Sequence, residues 1–320
     1  MGLDAVTGLD EGPLEAIYIG CLDGGEEGKT DMHLMRLGGI GEERPMVRAD
    51  DGSLYDLSGL TGDIDGAFLA GDGIARVADA VANGSLPRVD DAGDGTGLRV
   101  GAPVVQPGKV VCIGLNYREH AAESRAAIPS EPVVFMKAPD CVVGPYDDVL
   151  IPRKSTKTDW EVELAIVIGK PARYLDSPDQ AYEHIAGYAI SNDVSEREFQ
   201  LERPGGQWDK GKSCETFNPL GPWLRPANEI ADPQDLALRL WVNGELKQDS
   251  STKDMIFPVA EIVHALSQYM VLRPGDVINT GTPQGVALGQ PEPKPYLRQG
   301  DVVELEIEGL GRQRQTVGQA

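Results

Sequence analysis

The rhythm of apolar and polar positions changes along the chain and predicts where its elements lie. Residues 1–31 mix Gly, Asp and Glu without a strand or helix period. They are expected to be a flexible N-terminal extension, or sequence ahead of a translation start at Met32 or Met35. From there MHLMRLGG and PMVRADDGSLYDL read as short strands joined by an Asp-Gly turn, since that dipeptide supplies the positive φ a hairpin needs. Within 68–86, Ile74, Val77, Ala78 and Val81 recur at helical spacing, and Asn83-Gly84 closes the helix. The stretch VDDAGDGTG at 89–97 has almost nothing to bury and reads as a linker. The expected organisation is therefore a small N-terminal α+β domain with its linker over 32–97, and a larger domain over 98–320.

Beyond the linker the pattern is strand-rich. Lys109–Gly114 and Val133–Met136 are short apolar runs bounded by Pro and Gly, and YREHAAESRAA between them predicts a short helix ended by Pro129. SPDQAYEHIAG at 177–187 has Ser177 as helix cap, Pro178 at the first helical position and Gly187 as stop. Residues 236–248 predict a hairpin around Asn243-Gly244, and Val259, Ile262, Val263, Leu266 and Met270 form one helical face. DVVELEIEGLG closes the chain as an alternating strand. Many short strands with few helices, and no regular βα alternation, predict an α+β, mainly β fold.

Composition narrows the function classes. In 320 residues and 34.3 kDa, 41% of residues are apolar and 25% charged, which fits an ordinary globular protein. The 51 acids against 29 bases leave a net charge of −22, which repels phosphate backbones and argues against nucleic acid or an anionic membrane as partner. Four scattered cysteines without zinc-like spacing, no signal-peptide pattern and no run of 18 apolar residues lead to the expectation of a cytoplasmic protein.

Familiar nucleotide and hydrolase signatures are missing. There is no G-x-x-x-x-G-K-[ST], the glycines around Gly38 open no dinucleotide-type helix, and Gly211-Lys212-Ser213-Cys214-Glu215 ends in the wrong residue for a nucleophile elbow. The strongest candidate is D-W-E-V-E-L-A-I-V-I-G at 159–169. Along a strand, i and i+2 share a face roughly 7 Å apart, so Glu161 and Glu163 point the same way at the entrance of a strand apolar on both faces. Two like charges there need a cation or a proton between them. Glu304, Glu306 and Glu308 repeat at the same interval, but alternate cleanly with Val303, Leu305 and Ile307 and read as a solvated face. Asp193, ending another apolar run, is either a third ligand or a helix cap. Three carboxylates without Cys or His would form a hard oxygen site for Mg²⁺, Mn²⁺ or Ca²⁺. His120 and Glu123, at i and i+3 on a short helix, are either a surface pair or an oriented general base. His33, His184 and His264 lack such partners and read as structural.

Taken together these blocks resemble the fumarylacetoacetate hydrolase family from about Val105 to Val317. The resemblance rests on G-L-N-Y-x-x-H-x-x-E at 114–123, F-x-K at 135–137, the 159–169 run, N-D-V-S-x-R at 192–197, G-K at 211–212, P-L-G-P at 219–222 and G-D-V-I-x-T-G-T-P-x-G-V at 275–286. It implies a mixed β-sandwich roll, commonly a homodimer, over the 98–320 catalytic domain. It makes Glu161, Glu163 and Asp193 the carboxylates for Mg²⁺ or Mn²⁺, and His120 with Glu123 a water-activating dyad on a mobile lid. Arg197, Gln200 and Lys212 would hold the oxo and carboxylate groups of a small oxo-acid, with Lys212 also supporting its enolate. Thr282 would contact the substrate carboxylate. Leu115-Asn116 stands where animal members add a metal-binding aspartate, and Pro204 is placed to reshape the pocket rim. The implied activity is cleavage of a C–C bond in a 2,4-diketo acid, an acylpyruvate or a 2,4-diketo-3-deoxy sugar acid, to pyruvate and a second acid. Alternatives on the same residues are an oxaloacetate tautomerase or decarboxylase and a 2-hydroxymuconate-type isomerase; a metabolite-binding protein on a retired scaffold is the non-enzymatic option.

Overall fold

The computed structural model describes residues 31–89 and 97–320. The expected extension at 1–31, apart from Asp31, and most of the expected linker lie outside them. In chain order the N-terminal part carries β1 (Met32–Leu37), β2 (Arg44–Ala49), β3 (Leu54–Asp56), α1 (Gly66–Ala70) and α2 (Gly73–Ala82). Next come β4 (Val100–Gly101), β5 (Val110–Gly114), α3 (Arg118–Glu123), β6 (Val133–Lys137), β7 (Val142–Val143), β8 (Val149–Ile151), β9 (Thr158–Asp159) and β10 (Val162–Ile168). The rest comprises β11 (Ile185–Asn192), β12 (Ser195–Glu196), α4 (Asp209–Lys212), β13 (Asn218–Pro226), β14 (Ala237–Val242), β15 (Glu245–Ser251), α5 (Val259–Tyr269), β16 (Val277–Asn279), β17 (Val302–Ile307) and β18 (Gly311–Gln319).

An eleven-stranded sheet runs β3-β2-β1-β13-β11-β10-β16-β5-β6, with β4 on β1 and β7 on β13; a five-stranded sheet runs β15-β14-β17-β18-β8. The fold is α+β and mainly β, as the strand-rich pattern predicts. Val162, Leu164, Ile166 and Ile168 of β10 face the main core shared with α5 and the five-stranded sheet. Ala165 and Val167 face a second core with Leu34, Phe68 and Val77. The strand is therefore buried on both faces, which explains its unbroken apolar run. The N-terminal strands extend the same sheet: β1 pairs with β13, Leu34 opposite Leu224, so the first segment covers what would otherwise be an open edge.

Three local expectations are revised. The helix with His120 stops at Glu123, well before Pro129, because Arg125 adopts φ 53° and its left-handed backbone cannot continue the turn. Residues 178–184 form a 3₁₀ helix without a Ser177 side-chain cap, and Gly187 is not its stop. Gly187 lies inside β11 opposite Pro226, where a Cβ would come within 2.1 Å of the Arg225 carbonyl oxygen. The chain also continues past the alternating strand: β17 turns at 308–310 into β18. In β17, Val303, Leu305 and Ile307 are buried, and Arg312 of β18 pairs with Glu304 and Glu306 at the surface.

Candidate functional site

Strand register assembles the carboxylates. Antiparallel pairing of β10 with β11 sets Val162 opposite Asn192 and Glu163 opposite Ser191. Asp193 thereby comes opposite Glu161, and its N–H donates to the Glu161 carbonyl at 2.9 Å. Glu161, Glu163 and Asp193 are all buried and offer oxygen atoms within 4.8 Å of one another. Asp193 caps no helix; it enters the two-stranded β9–β12 ribbon.

Cations surround the cluster. Lys212 Nζ lies 2.7 Å from Glu161 Oε2 and 3.1 Å from Asp193 Oδ2, and Arg197 Nη2 lies 2.7 Å from Glu161 Oε1. Lys212 rides on α4, which approaches the chain so closely that a Cβ on Gly211 would sit 2.4 Å from the Glu196 carbonyl oxygen. That contact explains why a glycine precedes the lysine. Arg197 is held from behind by Asp159, 2.8 Å from its Nε, and donates from Nη1 to Gln200 Oε1 at 2.9 Å. Asp159 also accepts from the N–H groups of Ala287 and Leu288, at 2.7 and 3.0 Å. Lys137, at the end of β6, is buried and paired with Asp193 Oδ1.

Electrostatics leave one acid uncompensated. Four buried carboxylates, Asp159, Glu161, Glu163 and Asp193, face three buried cations, Lys137, Arg197 and Lys212. Burial alone would raise the Glu161 carboxyl, but Lys212 and Arg197 hold it at about 2. Glu163 accepts from the Gly281 N–H at 2.7 Å, and burial together with the Asp193 and Glu161 charges pushes its carboxyl well above the ordinary range against the pull of Lys212. Asp193 Oδ2 accepts no directed hydrogen bond, although Lys212 is near. A site made of hard oxygens, short of positive charge, with an unsatisfied buried oxygen, fits a divalent cation such as Mg²⁺ or Mn²⁺.

The dyad faces the same space. His120 Nδ1 lies 2.8 Å from Glu123 Oε1. A carboxylate accepts, so in the neutral ring the hydrogen sits on Nδ1 and the Nε2 lone pair points away from Glu123. The Gly285 N–H donates to both Glu123 oxygens, at 3.2 Å to Oε1 and 3.1 Å to Oε2, and holds the carboxylate in place. His120, Glu161, Glu163, Arg197, Gln200, Lys212 and Thr282 all line one cleft of about 230 Å³, with Asp193 behind its surface. The Thr282 hydroxyl is already engaged, donating to the Val162 carbonyl and accepting from Gln248 Nε2, both at 2.9 Å. Leu115, at φ 55°, lines the cleft, while the Asn116 amide donates to the Thr280 carbonyl at 2.7 Å, bracing the turn that leads to α3. Pro204 lies in the loop after the Glu198–Glu202 turn, where its carbonyl accepts from Lys210 Nζ.

Two residues of the site were given no role by sequence reasoning. Lys137 is visible as a lysine closing an apolar strand, and Asp159 as an acid two residues ahead of Glu161. Their roles depend on partners far away in the chain, which spacing does not reveal. His33, read as structural, packs its ring on Trp223 at 4.5 Å, away from the site.

Residues 109–318 match the family model for the C-terminal region of fumarylacetoacetate (FAA) hydrolase. The chain is 47% identical over 288 residues to a 2,4-didehydro-3-deoxy-L-rhamnonate hydrolase of Sphingomonas sp., covering 90% of this chain and 96% of that protein. Among solved structures it resembles maleylpyruvate hydrolase from Sphingobium sp., in complex with manganese(II) and pyruvate (27% identity, TM-score 0.73, 90% of this chain and 100% of that one). It also resembles 2-hydroxyhepta-2,4-diene-1,7-dioate isomerase from Mycobacterium marinum (31% identity, TM-score 0.68, 90% and 98%).

Proposed function

Because the chain belongs to the fumarylacetoacetate hydrolase family, we propose that it is a divalent-metal-dependent hydrolase cleaving a C–C bond in a 2,4-diketo acid to pyruvate and a second acid. The carrying observation is the convergence on one cleft of an oriented His120–Glu123 base and a buried carboxylate cluster flanked by Arg197 and Lys212. Glu161, Glu163 and Asp193 would hold Mg²⁺ or Mn²⁺, which when bound supplies Lewis-acid stabilisation of negative charge on the substrate's oxo oxygens. Arg197, Gln200 and Lys212 bind the α-keto-acid head. His120 Nε2 takes a proton from water, and the resulting hydroxide adds to the distal carbonyl carbon. The bond from that carbon to the methylene breaks, its electron pair passing into the enolate of pyruvate. Lys212, kept protonated by Asp193 and Glu161, stabilises that enolate until its carbon takes up the proton that His120 removed from water, which returns His120 to its starting state. Glu123 keeps the His120 ring in the productive tautomer throughout.

A second reading, a tautomerase, decarboxylase or isomerase on the same residues, is favoured by the likeness to the Mycobacterium marinum isomerase. Product analysis with Mn²⁺ or Mg²⁺ separates them: hydrolysis yields two acids, whereas isomerisation conserves the substrate's mass. His120→Asn should lower cleavage by ~10² to 10⁴ while leaving metal binding intact. Pyruvate release at the parent rate in that variant would remove the mechanism. A homodimer, carried over from the family, predicts a sedimentation mass near twice the 34.3 kDa of one chain.

A further inference from the structure

Asp159 is fully buried behind the cleft wall, yet it holds groups on two sides of the site. Pairing of β9 with β12 sets Asp159 opposite Ser195, which brings Arg197 alongside. Its two oxygens accept four hydrogen bonds. Oδ1 takes the N–H groups of Trp160 and Ala287 at 2.9 and 2.7 Å; Oδ2 takes the Leu288 N–H at 3.0 Å and Arg197 Nε at 2.8 Å. An ionised carboxylate offers about four acceptor positions and no donor, so its capacity is filled. An asparagine would present one oxygen and one amino group, and either orientation of that amide sets donor against donor. The Ala287–Gly289 turn that Asp159 grips is also the one that seats Glu123: a Cβ on Gly289 would come 2.4 Å from Glu123 Oε2. Trp160 holds the start of the same segment, its Nε1 donating to the Gly285 carbonyl at 3.2 Å.

Resting on the hydrolase reading above for the parts that Arg197 and His120 play, we infer that Asp159 is a positioning residue that ties the head-group cation to the seat of the general base. On one side it fixes the Arg197 guanidinium through Nε, leaving Nη1 for Gln200 and Nη2 for Glu161. On the other it fixes the turn against which Glu123 rests, and Glu123 fixes the His120 ring through Nδ1. The Ala287 and Leu288 N–H groups open the 3₁₀ turn, where the turn's own carbonyls do not reach them, and Asp159 is their acceptor. Without the carboxylate, the Ala287 N–H and the Arg197 guanidinium are left buried and short of an acceptor, so the turn and Arg197 shift from one cause.

The test reads the two sides separately in Mg²⁺-loaded protein at mildly alkaline pH. Nitrogen NMR of histidine-labelled protein reports the His120 tautomer, His120 being one of four histidines and identified by its loss in His120→Asn. Calorimetry reports pyruvate binding. The parent should show His120 protonated at Nδ1. Asp159→Asn should mix the His120 tautomers, weaken pyruvate about tenfold, and lower kcat while raising KM for a 2,4-diketo acid. Ala287→Pro removes one N–H from the turn at a first helical position, after a Val286 whose extended backbone (φ −66°, ψ 155°) suits a following proline. It should disturb the His120 tautomer and kcat but leave pyruvate affinity near the parent's. His33, His184 and His264 should keep their parent signals in both variants. If Asp159→Asn does not fold, Ala287→Pro decides by itself. A parent His120 not protonated at Nδ1, a parent-like His120 in either folded variant, unchanged pyruvate affinity in Asp159→Asn, equal loss of pyruvate in both variants, or signals displaced at all the histidines overturns the inference. No cleavage of any 2,4-diketo acid by the parent, with tautomer and pyruvate responding as stated, would uphold it and sink the hydrolase reading instead.

Discussion

Gly289 shows how one missing side chain sets up the dyad. A Cβ at that position would lie 2.4 Å from Glu123 Oε2, at the movable end of the carboxylate and not against backbone. Gly289→Ala should therefore leave the fold intact and push Glu123 off its seat between His120 and the Gly285 N–H. Turnover should fall about tenfold or more, because an unoriented imidazole is a poorer base; unfolding temperature should stay near the parent's. Parent-like turnover with Glu123 displaced would show that the carboxylate does not orient the ring. At this scale the sequence already names most of the residues that the structure brings together: Glu161, Glu163, Asp193, His120, Glu123, Arg197 and Lys212 stand in readable motifs. Asp159 escapes such reading because its partners, Arg197 and the Ala287–Leu288 turn, lie 38 and more than 120 positions away.

Between elements, the join of β1 to the rest of the sheet contains titratable groups. Glu229 Oε2 accepts from the Met32 N–H at 2.9 Å and sits 3.7 Å from Arg225 Nε. Burial, with the Asp31 and Asp50 charges, pushes its carboxyl up from 4.5 to about 7 against the pull of Met32 and Arg225. A raised acid contributes stability that is complete below its ordinary value and is lost as pH rises through about 7. His33, beside it in β1, is lowered from 6.5 to about 4 by burial and Arg225, so its contribution is present above 6.5 and is lost as pH falls through about 4. Glu229→Gln keeps an acceptor for Met32 and removes the ionisation. Thermal unfolding should show the variant gaining on the parent between pH 5 and 8, and a difference independent of pH would place the titration elsewhere. The alternating patterns of β14 and β17 and the helical face of α5 are legible locally. The 3₁₀ turn at 178–184 is not, since Gly187 is placed by the approach of β13 and not by a helix end.

Over the whole molecule, a metal site whose ligands come from two neighbouring strands should couple binding to global stability. A divalent cation held about 100-fold above its dissociation constant should add ~2.7 kcal/mol to unfolding. Mn²⁺ or Mg²⁺ should raise the unfolding temperature, chelation should lower it, and Glu163→Ala should abolish the shift. An unfolding temperature indifferent to both cations would count against a site at this cluster. The continuous eleven-stranded sheet also places the first segment: β1 to β3 lie on the far edge from β5 and β6, so they flank β13 within the sheet and do not line the cleft.

The sequence by itself determined the fold class, the ends of several elements and the residue types of the site, because strand alternation, helical spacing and i, i+2 carboxylates are local properties. Tertiary structure decided which of two readings each candidate took. Whether Asp193 caps a helix or joins the carboxylates depends on the register of β10 against β11, and whether His120 and Glu123 are a surface pair depends on what Gly285 and Gly289 place beside them. The charge deficit at Glu163 likewise exists only once distant segments pack together, since burial and pairing are set by neighbours in space, not by neighbours in the chain.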